Sequence, residues 1–287
     1  MKMKIIADNP LNRVSRENFM QKCARFYQWR QAYSCIQKRI QKFDKQIEKE
    51  KLKLDSKSIF DEFSVEDAVK NIKKESVAFG LQLPREITQS IHNYAVNNFC
   101  FEPRYPERFK IESVRRGWLG NERPVFRALV SDLSNCKAIE EITGDSILLK
   151  IACSYLGYYP TLVTQHLTWS IASNLDVEEI KKHYPPTNFH YDIAGYNFVT
   201  ANFYITDVGL ESGPHVMIPK SHRNKPLSLL LGAGRQTDET VYKHYGRENQ
   251  KVIVGQAGFG FFQDSSCIHK LIPPVTQNRL LFQIRYS

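Results

Sequence analysis

From Thr161 onward the 287-residue sequence changes texture, and that change limits the fold more than any other feature. Seven strand-like runs follow one another: residues 161–171, 188–193, 198–206, 215–219, 252–254, 260–262 and 280–286. They are rich in β-branched and aromatic residues and are separated by turn residues. No helical period alternates with them, which argues against parallel β-α-β units. Short strands in such succession predict an antiparallel barrel or jelly roll, so the fold class is mainly β. Residues 225–250 break the series with Gly232-Ala233-Gly234 and a short helical stretch at 238–245. This is either a plain insertion or a lid over a site.

The first half reads as helices flanking that core. Ser64 followed by Asp67 fits a capping box and predicts a helix to about Lys74. A short strand is expected at 77–83 and a helix at 84–99 that begins on Pro84. Residues 101–120 read as irregular, and 146–157 as a buried helix ended by Gly157.

The formal net charge is +10, and residues 11–55 carry twelve Lys/Arg against five Asp/Glu, or +7 of it. That stretch lacks Gly and Pro. Phe26, Trp29, Tyr33, Ile36, Ile40, Phe43 and Ile47 recur at steps of three and four, a narrow apolar stripe on one long helix. Ser15 or Asn18 could cap its start. The stripe is expected to pack on the rest of the chain or on a second copy, giving a homo-oligomer through this helix. No DNA- or RNA-binding signature accompanies the charge, so specific nucleic-acid binding is not expected. The chain divides into a basic helical extension, 1–60, and a domain at 61–287.

Composition sets the remaining bounds. Aromatic residues make up 12%, which argues against wholesale disorder. No apolar run reaches the length of a membrane span, and residues 1–8 lack the apolar core of a secretion signal. The six cysteines form no CxxC pair and no framework spacing, and they predict reduced thiols in a cytoplasmic protein.

The informative motif is Phe189-His190-Tyr191-Asp192. On a strand His190 and Asp192 share a face, so an imidazole and a carboxylate can grip one metal ion. His269, 77 residues beyond Asp192, is placed to be the third ligand from an opposing strand. Two histidines and one carboxylate leave open positions that suit non-haem Fe(II), whereas zinc prefers a more closed site. Arg279, ten residues after His269, shares a strand face with Leu281 and Gln283. An arginine on the inner face of a barrel requires an anion, and a carboxylate supplies two parallel charged hydrogen bonds. Arg285, on the same face, is the rival for that role.

These segments resemble the phytanoyl-CoA dioxygenase family of Fe(II)/2-oxoglutarate-dependent oxygenases. The resemblance runs through His190-Tyr191-Asp192, residues 202–207, Glu211 to His222 and Gly258 to His269, ending at Arg279. It implies a double-stranded β-helix, a jelly roll buttressed by helices. It implies Fe(II) on His190, Asp192 and His269, and 2-oxoglutarate chelating the metal while its distal carboxylate meets Arg279. Gln165 matches a position that often hydrogen-bonds 2-oxoglutarate, and Thr200 or Asn202 would also line the site. The implied reaction consumes O2, releases succinate and CO2, and hydroxylates a C–H bond of a small, anionic-leaning metabolite. Demethylation, desaturation and C–N cleavage are outcomes of the same chemistry, and a non-catalytic jelly-roll binding module is the rival from another class. A carboxylate at Asp192, where related halogenases carry a small residue, argues against halogenation. The chain departs from the family at Lys220, where Gly is usual, and at Phe259, where Asp is usual after Gly258. His166 is expected to point away from the site. His215 is ambiguous and His222 structural.

Overall fold

The strand Arg279–Tyr286 runs through the middle of the molecule, and its alternating side chains organise what surrounds it. Leu280, Phe282, Ile284 and Tyr286 are fully buried on one face, within the main apolar cluster. Arg279, Leu281, Gln283 and Arg285 occupy the other face and line a cavity. The computed structural model describes residues 4–7, 23–60, 62–120, 123–232 and 234–287.

The large sheet has the order Val77–Gln82, Phe259–Gln263, Val199–Tyr204, Arg279–Tyr286, Leu162–Ser170, Arg127–Val130, Phe99–Phe101, Arg108–Lys110. These neighbours are all antiparallel. Lys4–Ala7 adds a ninth strand, parallel to Leu162–Ser170. A second, five-stranded antiparallel sheet has the order Arg235–Gln236, Phe189–His190, His269–Leu271, His215–Met217, Lys251–Ile253. The two sheets face each other, because Val77, Tyr204 and Phe261 of the first cluster with Met217 and Ile253 of the second. This is the expected jelly roll.

Helices cover the outer face of the large sheet. Val65–Glu75 and Ser146–Leu156 place Ala68, Val69, Ile72, Leu148, Ile151 and Ala152 in the same cluster as Phe282 and Ile284. Ser64 caps the first of these helices by accepting from the Asp67 amide at 3.2 Å. Asp145 caps the second, accepting from the amides of Ile147 and Leu148, and also holds Ser58 Oγ and the Ile59 amide. Pro84 is the N-cap of Arg85–Asn97 rather than its first residue. Residues 101–120, expected to be irregular, contribute three short strands and part of a three-stranded sheet. Lys137–Thr143 and Val177–His183 are helices that the sequence did not reveal, each too short to establish a period. No described helix is long and apolar enough to cross a membrane. All six cysteines are free thiols.

The basic N-terminal stretch departs from expectation in two ways. Among the described residues it is not one continuous helix: Tyr27–Gln41 and Lys45–Lys51 are separated where Asp44 turns out of the first and caps the second. The proposed caps Ser15 and Asn18 lie outside the described residues. The apolar stripe packs on the body only in part: Ile47 is buried and Tyr33 lies against the main cluster, but Trp29, Ile36, Ile40 and Phe43 are all more than half exposed. The face that meets the sheets is the polar one, with Arg30, Ser34 and Gln41 buried. Gln41 exchanges two hydrogen bonds with the backbone of Tyr159, and Ser34 accepts from Asn197. Paired polar contacts rather than apolar burial fix the orientation of this helix.

The turn after His215–Met217 carries one of the departures noted in the sequence. Lys220 sits in the left-handed region at φ 65°, where a Cβ is strained and glycine is not. Lys220→Gly is expected to raise stability by about 1 kcal/mol in urea unfolding. Asp145→Ala, which frees two cap amides and the Ser58 contact, is expected to lower it by roughly 2–4 kcal/mol in the same measurement.

Candidate metal centre

His190 ends its strand directly opposite His269 in the register of the smaller sheet. Asp192 lies just past that strand, and its amide continues the pairing by donating to Ser265 O at 2.9 Å. The three side chains thus converge, with one ligand atom from each lying within 4.8 Å of the others. The two histidine rings stand 4.4 Å apart.

The backbone orients both rings. His190 Nδ1 lies 2.8 Å from Asn188 O, and His269 Nδ1 lies 2.9 Å from Cys267 O. A carbonyl only accepts, so Nδ1 carries a proton in each ring and Nε2 is the nitrogen turned toward the group. A metal would be taken by that nitrogen. Burial, with His190 alongside, pushes His269 down to about 4 and keeps it uncharged. His215 stacks on His269 at 5.2 Å and is driven well below the usual range by burial and by His269.

The three residues open onto a cavity of about 200 Å3 between the sheets. This is smaller than the roughly 300–1,000 Å3 of drug-sized sites. Its walls include Asn202, His215, Arg279, Gln283 and Arg285, together with Arg127 and Lys270. Four cations therefore face one carboxylate, Asp192. Lys270 pairs with Asp238 at 2.6 Å, Arg285 reaches Asp192 at 3.6 Å, and Arg127 lies 3.9 Å from Glu102. Arg279 differs from these. It is 4% exposed and donates to Gly213 O and Ser170 Oγ, and its Nε has no hydrogen-bond partner. Among the described residues no carboxylate pairs with it. Burial lowers its pKa, so its charge is costly without an anion.

The remaining candidates separate. Asn202 lines the cavity, accepting from Gln283 and donating to Thr200 Oγ1. Thr200 lies behind it, tied to Gln263 O and Ser265 Oγ. Gln165 is not in the cavity. It pairs in register with Ile284, on the helix-covered face, and donates to Thr143 Oγ1. Its neighbour His166 pairs with Gln283 and lines the cavity instead. The sequence held the signal: Val163, Leu167 and Trp169 share a face with Gln165, and that apolar face belongs to the helical layer. Arg127, Tyr184 and Lys270 were not anticipated, because each comes from a segment without a motif.

No protein-family profile matches the sequence, and no curated protein matches it. Solved structures do share the fold. The non-heme alpha ketoglutarate dependent epimerase SnoN from nogalamycin biosynthesis aligns over 78% of this chain and 82% of its own, at 14% identity and a TM-score of 0.51. HygX from Streptomyces hygroscopicus, with nickel and 2-oxoglutarate bound, aligns over 77% and 86%, at 13% identity and a TM-score of 0.51. EvdO2 from Micromonospora carbonacea var. aurantiaca, complexed with 2-oxoglutarate, aligns over 77% and 89%, at 12% identity and a TM-score of 0.50. At such identities the likeness is one of fold.

Histidines held neutral by burial make stability depend on pH. Burial pushes His222, bonded through Nδ1 to Ser76 Oγ, down to about 4, like His269. A histidine depressed in the folded state takes up its proton first in the unfolded chain, whose imidazoles titrate near roughly 6.5. Stability should therefore be intact above that pH and fall as pH drops toward 4. Urea unfolding of the metal-free protein across this range should show the loss, and His222→Asn should make its slope shallower by about one proton.

Proposed function

We propose that the chain is an Fe(II)- and 2-oxoglutarate-dependent oxygenase that oxidises a C–H bond of a small anionic metabolite. The observation that carries this reading is a His/Asp/His group sharing one small cavity with a buried arginine that has no carboxylate partner among the described residues. The phytanoyl-CoA dioxygenase resemblance is the finer form of the same reading.

His190, Asp192 and His269 would hold the metal on one side and leave its other side to the cavity. When bound, iron with 2-oxoglutarate and O2 supplies oxidative decarboxylation to succinate and CO2, coupled to oxidation of the substrate. The chain's own residues do the rest. Arg279 takes the distal carboxylate with its guanidinium edge, already oriented by Gly213 O and Ser170 Oγ. Arg285 holds the outer oxygen of Asp192, which fixes the carboxylate's rotation. Asn202 and Gln283 form a locked amide pair on the cavity floor that can orient a carbonyl or hydroxyl. Arg127, Lys270 and Arg285 surround the space left for substrate with positive potential, favouring an anionic one. Hydroxylation is the first outcome proposed. Stereochemical inversion is the second, since SnoN, which shares this fold, is described as an epimerase.

Anaerobic addition of Fe(II) and 2-oxoglutarate should produce the weak visible charge-transfer band of the chelate, and succinate should form in air with extracts. The absence of both would leave the non-catalytic binding module as the surviving reading. His190→Ala should abolish stoichiometric iron binding, and unchanged iron content would show the ligand assignment to be wrong. Arg279→Met should weaken 2-oxoglutarate binding by about 100-fold while leaving iron binding intact, because it removes two charge-assisted hydrogen bonds.

A further inference from the structure

The buried polar face of the helix Tyr27–Gln41 does more than attach it. Arg30, 2% exposed, is a charged residue carried wholly into the interior by the N-terminal segment. Its guanidinium meets Asp264 Oδ2 at 2.9 Å and donates to Ser266 Oγ, to Asn197 Oδ1 at 2.9 Å and to Phe198 O at 3.4 Å. Tyr155 donates to the same Asp264 oxygen. Burial alone would raise the Asp264 carboxyl, but Arg30 and these hydrogen bonds outweigh it and hold the group ionised.

Asp264 and Ser266 flank Ser265. The Ser265 carbonyl receives the Asp192 amide, and its hydroxyl bonds Thr200. Asp264 itself turns the loop, accepting from the Ser266 amide through Oδ1 and from the Cys267 amide through its carbonyl. The carbonyl of Cys267 then fixes His269 Nδ1. A second route runs through Phe198, whose ring lies 5.6 Å from the Arg30 guanidinium and 5.8 Å from that of Arg285, the partner of Asp192.

We infer that Arg30 is a positioning residue for the metal centre: by clamping the loop 264–267 from behind, it sets the separation of Asp192 and His269. The inference rests on the metal-centre reading above. It assigns the N-terminal helix to the site although no residue of that helix lines the cavity.

Co(II) affinity of the full-length protein, measured by titration, tests this alongside thermal unfolding of the metal-free form. Arg30→Lys keeps the charge beside Asp264 but loses the planar fork, and Ser266→Ala removes one arm of it. Gln41→Ala is the control, since Gln41 anchors the same helix to Tyr159, away from the loop. Arg30→Lys should weaken Co(II) binding by roughly tenfold, the scale on which outer-shell partners of metal ligands act. Ser266→Ala should weaken it severalfold, and Gln41→Ala should leave it within about twofold of wild type despite a lower melting temperature. Should Arg30→Lys not fold, Ser266→Ala against Gln41→Ala decides the question. The inference is overturned if the loop variants bind like wild type, or if Gln41→Ala costs as much affinity as they do. A wild-type protein that binds no Co(II) overturns the metal-centre reading itself, a different result from either.

Discussion

A strand has two faces, and residues 279–286 need both of them filled by incompatible company. Four apolar side chains must leave water and four largely polar ones must not enter a dry core. The helical layer satisfies the first requirement. The second sheet satisfies the other by enclosing a polar cavity beside the apolar contact that Leu281, Tyr204 and Phe261 make with Met217 and Ile253. Everything placed around the site follows from this division. The neighbouring strands Val199–Tyr204 and Leu162–Ser170 repeat it, so Asn202, His166 and Thr168 join Arg279 and Gln283 by register alone.

A cavity built this way has an electrostatic problem as well as a shape. Cations brought to its wall are expensive unless matched, and three of the four have a carboxylate within 4 Å. Among the described residues Arg279 does not, and elsewhere on the cavity wall the imidazoles of His190 and His269 converge with the carboxylate of Asp192. With a metal ion on the His/Asp/His group, as proposed, a small dianion with a chelating end and a free carboxylate would complement both ends of the cavity. 2-Oxoglutarate would meet that demand on the proposed reading.

How much of this was legible in the sequence depended on whether a signal was local. His190 and Asp192 announce themselves because two ligands sit one residue apart, and the strands after Thr161 are legible from alternation and turns. The face of Leu162–Ser170 was read backwards, with Gln165 inward. A single polar residue was weighed there more heavily than the apolar parity of Val163, Leu167 and Trp169. The N-terminal helix misled in the opposite sense. Its apolar period points to the stripe as the buried side, yet Trp29, Ile36, Ile40 and Phe43 stay exposed while Arg30, Ser34 and Gln41 find partners on Asp264, Asn197 and Tyr159 that only the tertiary fold brings near. Long-range polar complementarity leaves no periodic trace in a sequence.

The separation of these partners along the chain has a kinetic consequence. Arg279 bonds Ser170 across 109 residues, and Arg30 meets Asp264 across 234. Such closures come late in folding, after the entropy of very large loops has been overcome. A zinc finger is shaped by its ion, whereas here register and loop must be set before His190, Asp192 and His269 converge. On the proposed reading, metal uptake should therefore report maturation: chains still sorting their strands would offer no competent site, and the ion would discriminate finished molecules from unfinished ones.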